Sequence, residues 1–154
     1  MEDFAVRCAL AGADHGVYQR SESGEDKLIA KHSTPELKLN YEAFEWRLLP
    51  KDLLLRVLEL PHLTRQAHSY LEAVSDEIAM PPDFEEFYFE RSSRFSRLGL
   101  RALDLARDLR LRYGASAVIA PLDPEDDYDL REHLQLILED TSKYKRRRSE
   151  QADA

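Results

Sequence analysis

The residues that could perform chemistry in this sequence are scattered and match no established catalytic motif. The chain has no glycine-rich phosphate loop, no Gly-x-Ser-x-Gly elbow and no His-Glu-x-x-His zinc helix. Its one cysteine, Cys8, has no second cysteine with which to form a disulfide or a zinc site. Because only Arg7 lies beside it to activate the thiol, we expect Cys8 to be a buried structural residue.

Two pairs of an acidic residue and a histidine have the spacing of metal ligands on a helix. Asp129 and His133 are one helical turn apart, and so are His68 and Glu72. Acidic residues are also favoured at helix N-termini, and such pairs are common on solvated helix faces. We therefore predict no metal, no cofactor and no catalytic residue, which favours a protein that is not an enzyme. An enzyme whose site is assembled from distant His, Asp and Glu residues is an alternative.

The C-terminal segment 141–154 is strongly basic and could contact nucleic acid. Its cationic side chains accompany Tyr144, which could stack on a base. The preceding residues 122–140 hold eight acidic residues against one arginine, so neutralisation within the chain is the favoured interpretation. Nucleic-acid binding through a disordered basic tail is the alternative, and its candidate residues are Lys143, Lys145, Arg146, Arg147 and Arg148.

A stripe of arginines offers a second surface that could bind phosphates. It comprises Arg94, Arg97, Arg101 and Arg112. Acidic residues stand three or four positions away, so we expect ion pairs along one helix: Glu90 with Arg94, Arg101 with Asp104, and Asp108 with Arg112. The whole chain has a net charge of −8, which opposes nonspecific binding to nucleic acid and to anionic membranes.

Arg91 is the one charge inside an apolar heptad seam that runs through residues 84–109. A buried guanidinium without a partner is strongly destabilising. In a hairpin that turns at Pro81-Pro82, the acidic residues opposite Arg91 belong to the helix before the turn. We predict a salt bridge from Arg91 to one of three carboxylates, Glu72, Asp76 and Glu77, with stacking on Tyr70 or Tyr88 as the alternative.

The elements that must position these residues are mainly helices. Apolar residues at steps of three and four predict a helix over 61–80 and a long continuous helix over 83–113, closed by Gly114. These two form an antiparallel, coiled-coil-like hairpin. Helices near 35–48 and 125–140 pack across it, although alternation of Leu37 and Leu39 leaves a strand as the minority interpretation of the first.

The chain divides into three regions by the strength of these patterns. Residues 1–33 form a poorly defined N-terminal segment and loop, in which a small β element is an alternative to a short helix. Residues 34–140 form the helical domain, with a short extended segment at 117–120. Residues 141–154 form the basic tail, which we expect to be disordered.

Some apolar residues fall off the main seam and give the long helix a second, weaker apolar side. They are Phe89, Leu100, Leu103 and Leu111. Because the 61–80 helix is the shorter arm, we expect some of these residues to contact another protein chain or a second copy, unless one compact core absorbs them. The sequence predicts a helical interaction or regulatory protein. With an acidic N-terminus and no apolar run that could span a bilayer, a cytoplasmic location is expected.

Overall fold

The computed structural model describes residues 1–20, 26–40, 42, 45–78, 84–114 and 128–152 of the chain. In these ranges the fold is mainly helical, with four helices packed against each other and a small two-stranded antiparallel sheet near the N-terminus. The elements in chain order are α1 (Glu2–Gly12), β1 (Val17–Arg20), β2 (Asp26–Ile29), a 3-10 turn (Trp46–Leu48), α2 (Lys51–Ile78), α3 (Phe84–Arg112) and α4 (Leu130–Ala152).

Helix α3 is the central element, and the other three helices run antiparallel along it. Each neighbour contacts the end of α3 with its first part and the beginning of α3 with its last part. The pairs that show this are Glu2–Arg110 and Ala11–Arg91 for α1, Arg56–Asp108 and Tyr70–Arg94 for α2, and Arg131–Asp104 and Arg148–Glu86 for α4. The predicted long helix and the hairpin with α2 are therefore confirmed.

Helix α2 begins ten residues before its predicted start and runs without interruption through Pro61. Proline has no backbone N–H to donate to the preceding turn, and its ring crowds that turn. A proline inside a helix therefore ordinarily ends or kinks it. Here Val57, Leu60 and Ala67 are buried in the core on either side of the proline, so packing holds the helix together. Since α2 has 28 residues and α3 has 29, the expected mismatch in arm length is wrong.

The helix predicted near 35–48 is absent from the described part of that segment. Residues 33–40 belong to no helix or strand, Pro35 is buried, and Leu37 and Leu39 pack against the core while Glu36 and Lys38 are exposed. This burial pattern has the period of two of the minority interpretation, although no strand forms. The ring Nε2 of His68 donates to the carbonyl oxygen of Pro35 at 2.9 Å, which joins this segment to α2. Residues 41, 43 and 44 lie outside the described ranges.

Helix α1 packs on α3 through small side chains. Ala5, Cys8 and Ala11 of α1 are fully buried, and the opposing stretch of α3 includes Ser96 and Gly99. A β-carbon built on Gly99 would lie 2.9 Å from a methyl carbon of Leu134 and 3.1 Å from the β-carbon of Cys8. The three helices therefore approach so closely here that any side chain at position 99 would require Leu134 to shift.

The N-terminal region contains both a short helix, α1, and the small β element that the sequence analysis offered as its alternative. The β element is a hairpin within the stretch expected to be a loop, and in it Val17 pairs with Ile29 and Arg20 with Asp26. Helix α4 continues to residue 152, so the disordered tail predicted for 141–154 is wrong over its described part. The extended segment predicted at 117–120 lies outside the described residues.

Candidate functional site

Arg91 lies in the interior of the molecule and is held by partners from the N-terminal region. Its side chain is 4% exposed, and it donates from Nη1 to the carbonyl oxygen of Ala11 at 2.6 Å and from Nη2 to that of His32 at 2.7 Å. Nη1 also lies 3.4 Å from Oδ2 of Asp14, whose side chain is completely buried. The guanidinium thus joins α3 to the end of α1 and to the residues after β2.

The carboxylate that the structure pairs with Arg91 is not among those predicted. Asp14 makes this ion pair and Glu72 is exposed on α2, whereas the predicted pairs with Asp76 and Glu77 fall on side chains outside the described residues. The prediction assumed that the nearest element in sequence would supply the partner. Helix α1 instead occupies this part of α3, and nothing local in the sequence relates positions 14 and 91.

Backbone hydrogen bonds prepare Asp14 for this position. Its carboxylate oxygens accept from the backbone N–H groups of Gly16 at 2.9 Å and His32 at 2.8 Å. Burial by itself would raise the pKa of Asp14, but these two hydrogen bonds and the charge of Arg91 together lower it. Burial lowers the pKa of Arg91 and the charge of Asp14 opposes this change, while the guanidinium remains protonated as in all proteins. The pair is therefore ionised and hydrogen-bonded to the backbone on both sides, which gives it a structural role.

Tyr88 completes this interior cluster. It is buried, and its hydroxyl donates to the carbonyl oxygen of Leu28 in β2 at 3.4 Å. Burial, with a smaller contribution from the charge of Asp14, raises the pKa of the Tyr88 hydroxyl. The Arg91 guanidinium also lies 5.4 Å from the centre of the Phe95 ring. Stacking of Arg91 therefore involves Phe95, one turn along α3, and not the predicted Tyr70 or Tyr88.

The basic residues of the C-terminal segment lie on α4, and several are paired with acidic residues. Lys145 pairs with Glu90, and Arg148 lies 2.8 Å from Glu86 and 3.1 Å from the hydroxyl of Tyr144. Lys143 pairs with Asp140 at 3.1 Å, and Arg146 and Arg147 are exposed. The described pairs of Lys145 and Arg148 thus join α4 to the acidic beginning of α3.

Of the arginine stripe of α3, only Arg94 forms one of the predicted ion pairs, and Arg97 and Arg101 are exposed. Glu90 and Arg94 form the predicted pair at 4.0 Å. The other two predicted pairs are replaced, because Asp104 contacts Arg131 of α4 at 2.6 Å and Asp108 contacts Arg56 of α2 at 2.5 Å. Asp104 and Asp108 of α3 therefore form their ion pairs with arginines of neighbouring helices and not with arginines of α3 itself.

The four residues of the second apolar side of α3 separate into covered and exposed members. The ring of Phe89 stacks on Tyr144 of α4 at 3.7 Å between centres. Leu103 packs against the core and Leu100 is half-buried. Leu111 is 55% exposed. The structure thus brings three of them into the fold and leaves Leu111, near the end of α3, at the surface.

Leu111 belongs to an open groove between the beginning of α2 and the end of α3. The groove has a volume of about 560 Å³, and Pro50, Leu53 and Leu111 provide its apolar lining. Leu48 and Tyr113 adjoin it, since the Tyr113 hydroxyl donates to the carbonyl oxygen of Leu48 at 3.2 Å. Leu48 is 67% exposed and Tyr113 is 56% exposed. We call this surface the hairpin groove.

The charged side chains that line the hairpin groove balance one another. Arg56 and Asp108 neutralise each other at 2.5 Å, and Arg112 and Asp52 are the other two charged residues of the lining. The exposed Arg47 and Lys51 flank Leu48 and Pro50 in sequence and add positive charge next to the lining residues. In a chain of net charge −8, these two cations beside an apolar groove suit a partner surface that is apolar and flanked by acidic groups.

Reactive and metal-binding groups form no site in the part of the chain that the structure describes. Burial raises the pKa of the Cys8 thiol to about 12, so the thiol is unreactive as expected. No three His, Cys, Asp or Glu residues among the described ones approach closely enough to hold a metal. The carboxylate of Asp129 instead accepts from the backbone N–H of Arg131 at 2.8 Å, which caps α4.

Comparison with known proteins identifies no relative: no family model, no curated protein and no solved structure matches this chain. No helix in the described ranges is both long enough and apolar enough to cross a membrane. The class that the fold defines is a four-helix protein with a small β-hairpin.

Proposed function

We propose that this protein is a non-enzymatic interaction protein whose hairpin groove binds an acidic, amphipathic helix of another protein. The observation that carries this proposal is the cluster of exposed apolar side chains, Leu48, Leu111 and Tyr113, around an open groove. Exposed apolar clusters rimmed by polar groups mark interaction sites, and a helix in a groove is a recurrent mode of recognition.

The charged residues in and beside the hairpin groove favour an acidic partner helix. The two arginines and two aspartates of the lining balance, and the exposed Arg47 and Lys51 next to Leu48 and Pro50 in sequence add two positive charges, so acidic residues beside the apolar face of a partner helix are attracted. A second copy of this chain is disfavoured, because a symmetric dimer through the groove brings these cations of the two copies face to face. A cytoplasmic location is part of the proposal and is supported by the single cysteine, which has no disulfide partner in the chain.

The proposal is tested with two fluorescent helical peptides that share one leucine face and carry either glutamates or lysines elsewhere. Fluorescence anisotropy is expected to show saturable binding of the acidic peptide, weakened by salt, and much weaker binding of the basic one. Leu111→Glu is expected to abolish binding. Leu136→Glu, at a leucine of α4 that is 51% exposed, is the matched control and is expected to bind normally.

Three results would contradict this function. They are equal binding of the two peptides, equal loss of binding in both variants, and a molecular mass by light scattering that rises with concentration and falls to the monomer mass in Leu111→Glu. The last result would identify a second copy of the chain as the occupant. Circular dichroism of each variant establishes that a loss of binding is not a loss of fold.

A further inference from the structure

A separate cleft lies between α1 and the beginning of α4. It has a volume of about 230 Å³, and Val6, Ala9 and Leu10 form one wall of it. Val6 and Leu10 are 44% and 47% exposed, so this wall offers apolar surface to a ligand. The volume lies below the range of about 300 to 1,000 Å³ that is usual for drug-sized ligands, so an occupant must be small.

The opposite side of the cleft is polar and rich in nitrogen. Lys31, His15, His32 and His133 line it, together with Tyr128, whose ring lies 5.7 Å from that of His133. No hydrogen-bond partner is found within the described ranges for Lys31 Nζ or for the three imidazoles. These donors come from the ends of three different elements, α1, β2 and α4, and only the tertiary fold brings them together.

The acidic residue at the cleft does not oppose a negative ligand. Asp14 also lines the cleft, but its side chain is fully buried. Its negative charge is compensated by Arg91 and by the backbone N–H groups of Gly16 and His32. Lys31 is then the uncompensated charge among the lining residues. The imidazoles belong to no group close enough for a metal within the described part of the chain, which favours an organic ligand that spans the distance between donors.

We propose that this cleft binds a small organic carboxylate, with its hydrocarbon or aromatic body against Val6 and Leu10 and its carboxylate towards Lys31 and the imidazoles. The apolar wall accounts for the body and the unpartnered donors account for the charge. This site is distinct from the hairpin groove and does not depend on it, because the two surfaces share no lining residue.

The experiment titrates the full chain with benzoate, with its neutral analogue benzamide and with inorganic phosphate, and follows the histidine ring signals by NMR. We expect saturable shifts of His15, His32 and His133 with benzoate. Benzamide and phosphate are expected to bind at least about tenfold more weakly, because one lacks the charge and the other lacks the apolar body.

Variants assign the binding to the cleft. Lys31→Met is expected to weaken benzoate binding about tenfold, and Leu10→Gln to weaken it without removing the preference for benzoate over benzamide. Lys38→Met replaces another exposed lysine outside the cleft and is expected to bind as the wild type does. The absence of saturable shifts, equal affinity for benzoate and benzamide, or an equal loss in Lys38→Met and Lys31→Met would overturn the proposal.

Discussion

The two ends of α3 place their unexpected residues in opposite environments. Near its beginning, Arg91 is buried and bonded to Asp14 and to two carbonyl oxygens. Near its end, Leu111 and Tyr113 are more than half exposed. A charge is inside at one end of the helix and apolar side chains are outside at the other.

The difference follows from what covers each end. Helix α1 and the residues after β2 fold over the beginning of α3, and they bring the acceptors that a buried guanidinium requires. At the other end Glu2 of α1 reaches Arg110, while Leu111 faces the open groove at the beginning of α2. The first region therefore buries a charge that the fold must compensate, and the second leaves apolar side chains in contact with solvent.

The largest effect is expected from removing the buried charge. Arg91→Met leaves the Asp14 carboxylate buried without its counterion and should lower the free energy of unfolding by about 3 to 5 kcal/mol. Urea denaturation followed by circular dichroism measures this change. Arg97→Met, at an exposed arginine of the same helix, is the control and should change stability by less than about 0.5 kcal/mol. Similar losses in the two variants would show that the network does not stabilise the fold.

A pair of leucines on α3 makes the comparison more specific. Leu105 is 2% exposed in the core, and Leu105→Ala should lower the free energy of unfolding by roughly 2 to 5 kcal/mol. Leu111→Ala removes a side chain that is already mostly in water and should change it by less than about 0.5 kcal/mol. Thermal and urea unfolding of both variants check the difference. A large loss in Leu111→Ala would mean that this residue belongs to the core.

A smaller effect is expected where α1, α3 and α4 meet. Alanine is the better helix former, so Gly99→Ala would stabilise an isolated helix by about 1 kcal/mol. In this fold the added β-carbon would be 2.9 Å from Leu134, and the resulting overpacking should destabilise by about 1 to 3 kcal/mol. The urea midpoint of Gly99→Ala shows which effect is larger, the gain in helix propensity or the loss from overpacking. A midpoint higher than that of the wild type would show that the helices are not in close contact at Gly99.

The smallest effect concerns pH. The pKa of Asp14 is lowered in the folded protein, so its contribution to stability is present above the ordinary aspartate pKa of about 3.9 and is lost as the pH falls towards the folded value. The difference in unfolding free energy between the wild type and Asp14→Asn should therefore shrink on acidification. Urea titrations at several acidic pH values measure it, and a difference that grows with acidity would have the wrong sign.

Much of the helical architecture could be predicted because its signals are local. The continuous apolar seam of α3 and the positive φ of +73° at Gly114 fit the predicted helix and its C-terminal glycine. The segment around Leu37 could not be assigned in the same way, since steps of four and of two were both present. In the structure Pro35, Leu37 and Leu39 face the core from a segment that is neither helix nor strand.

The partner of Arg91 required information that no local pattern contains. Asp14 is followed two residues later by Gly16, a spacing typical of a turn in which the carboxylate accepts a backbone N–H, so the turn itself was predictable. Its contact with a residue 77 positions away was not. For the same reason no pattern in the sequence related His15 and His32 to His133, which stood out only through its spacing from Asp129.

The sequence by itself determined that this protein is mainly helical, where its longest helix lies and that Arg91 requires a partner, because helix periodicity and the cost of a buried charge depend on residue type and spacing. Only the tertiary structure decided that α1 packs on α3 through small side chains, that Asp14 neutralises Arg91, and that Leu111 stays at the surface. These outcomes depend on which distant segments meet, and the energy of such contacts is set by the three-dimensional packing of the whole chain.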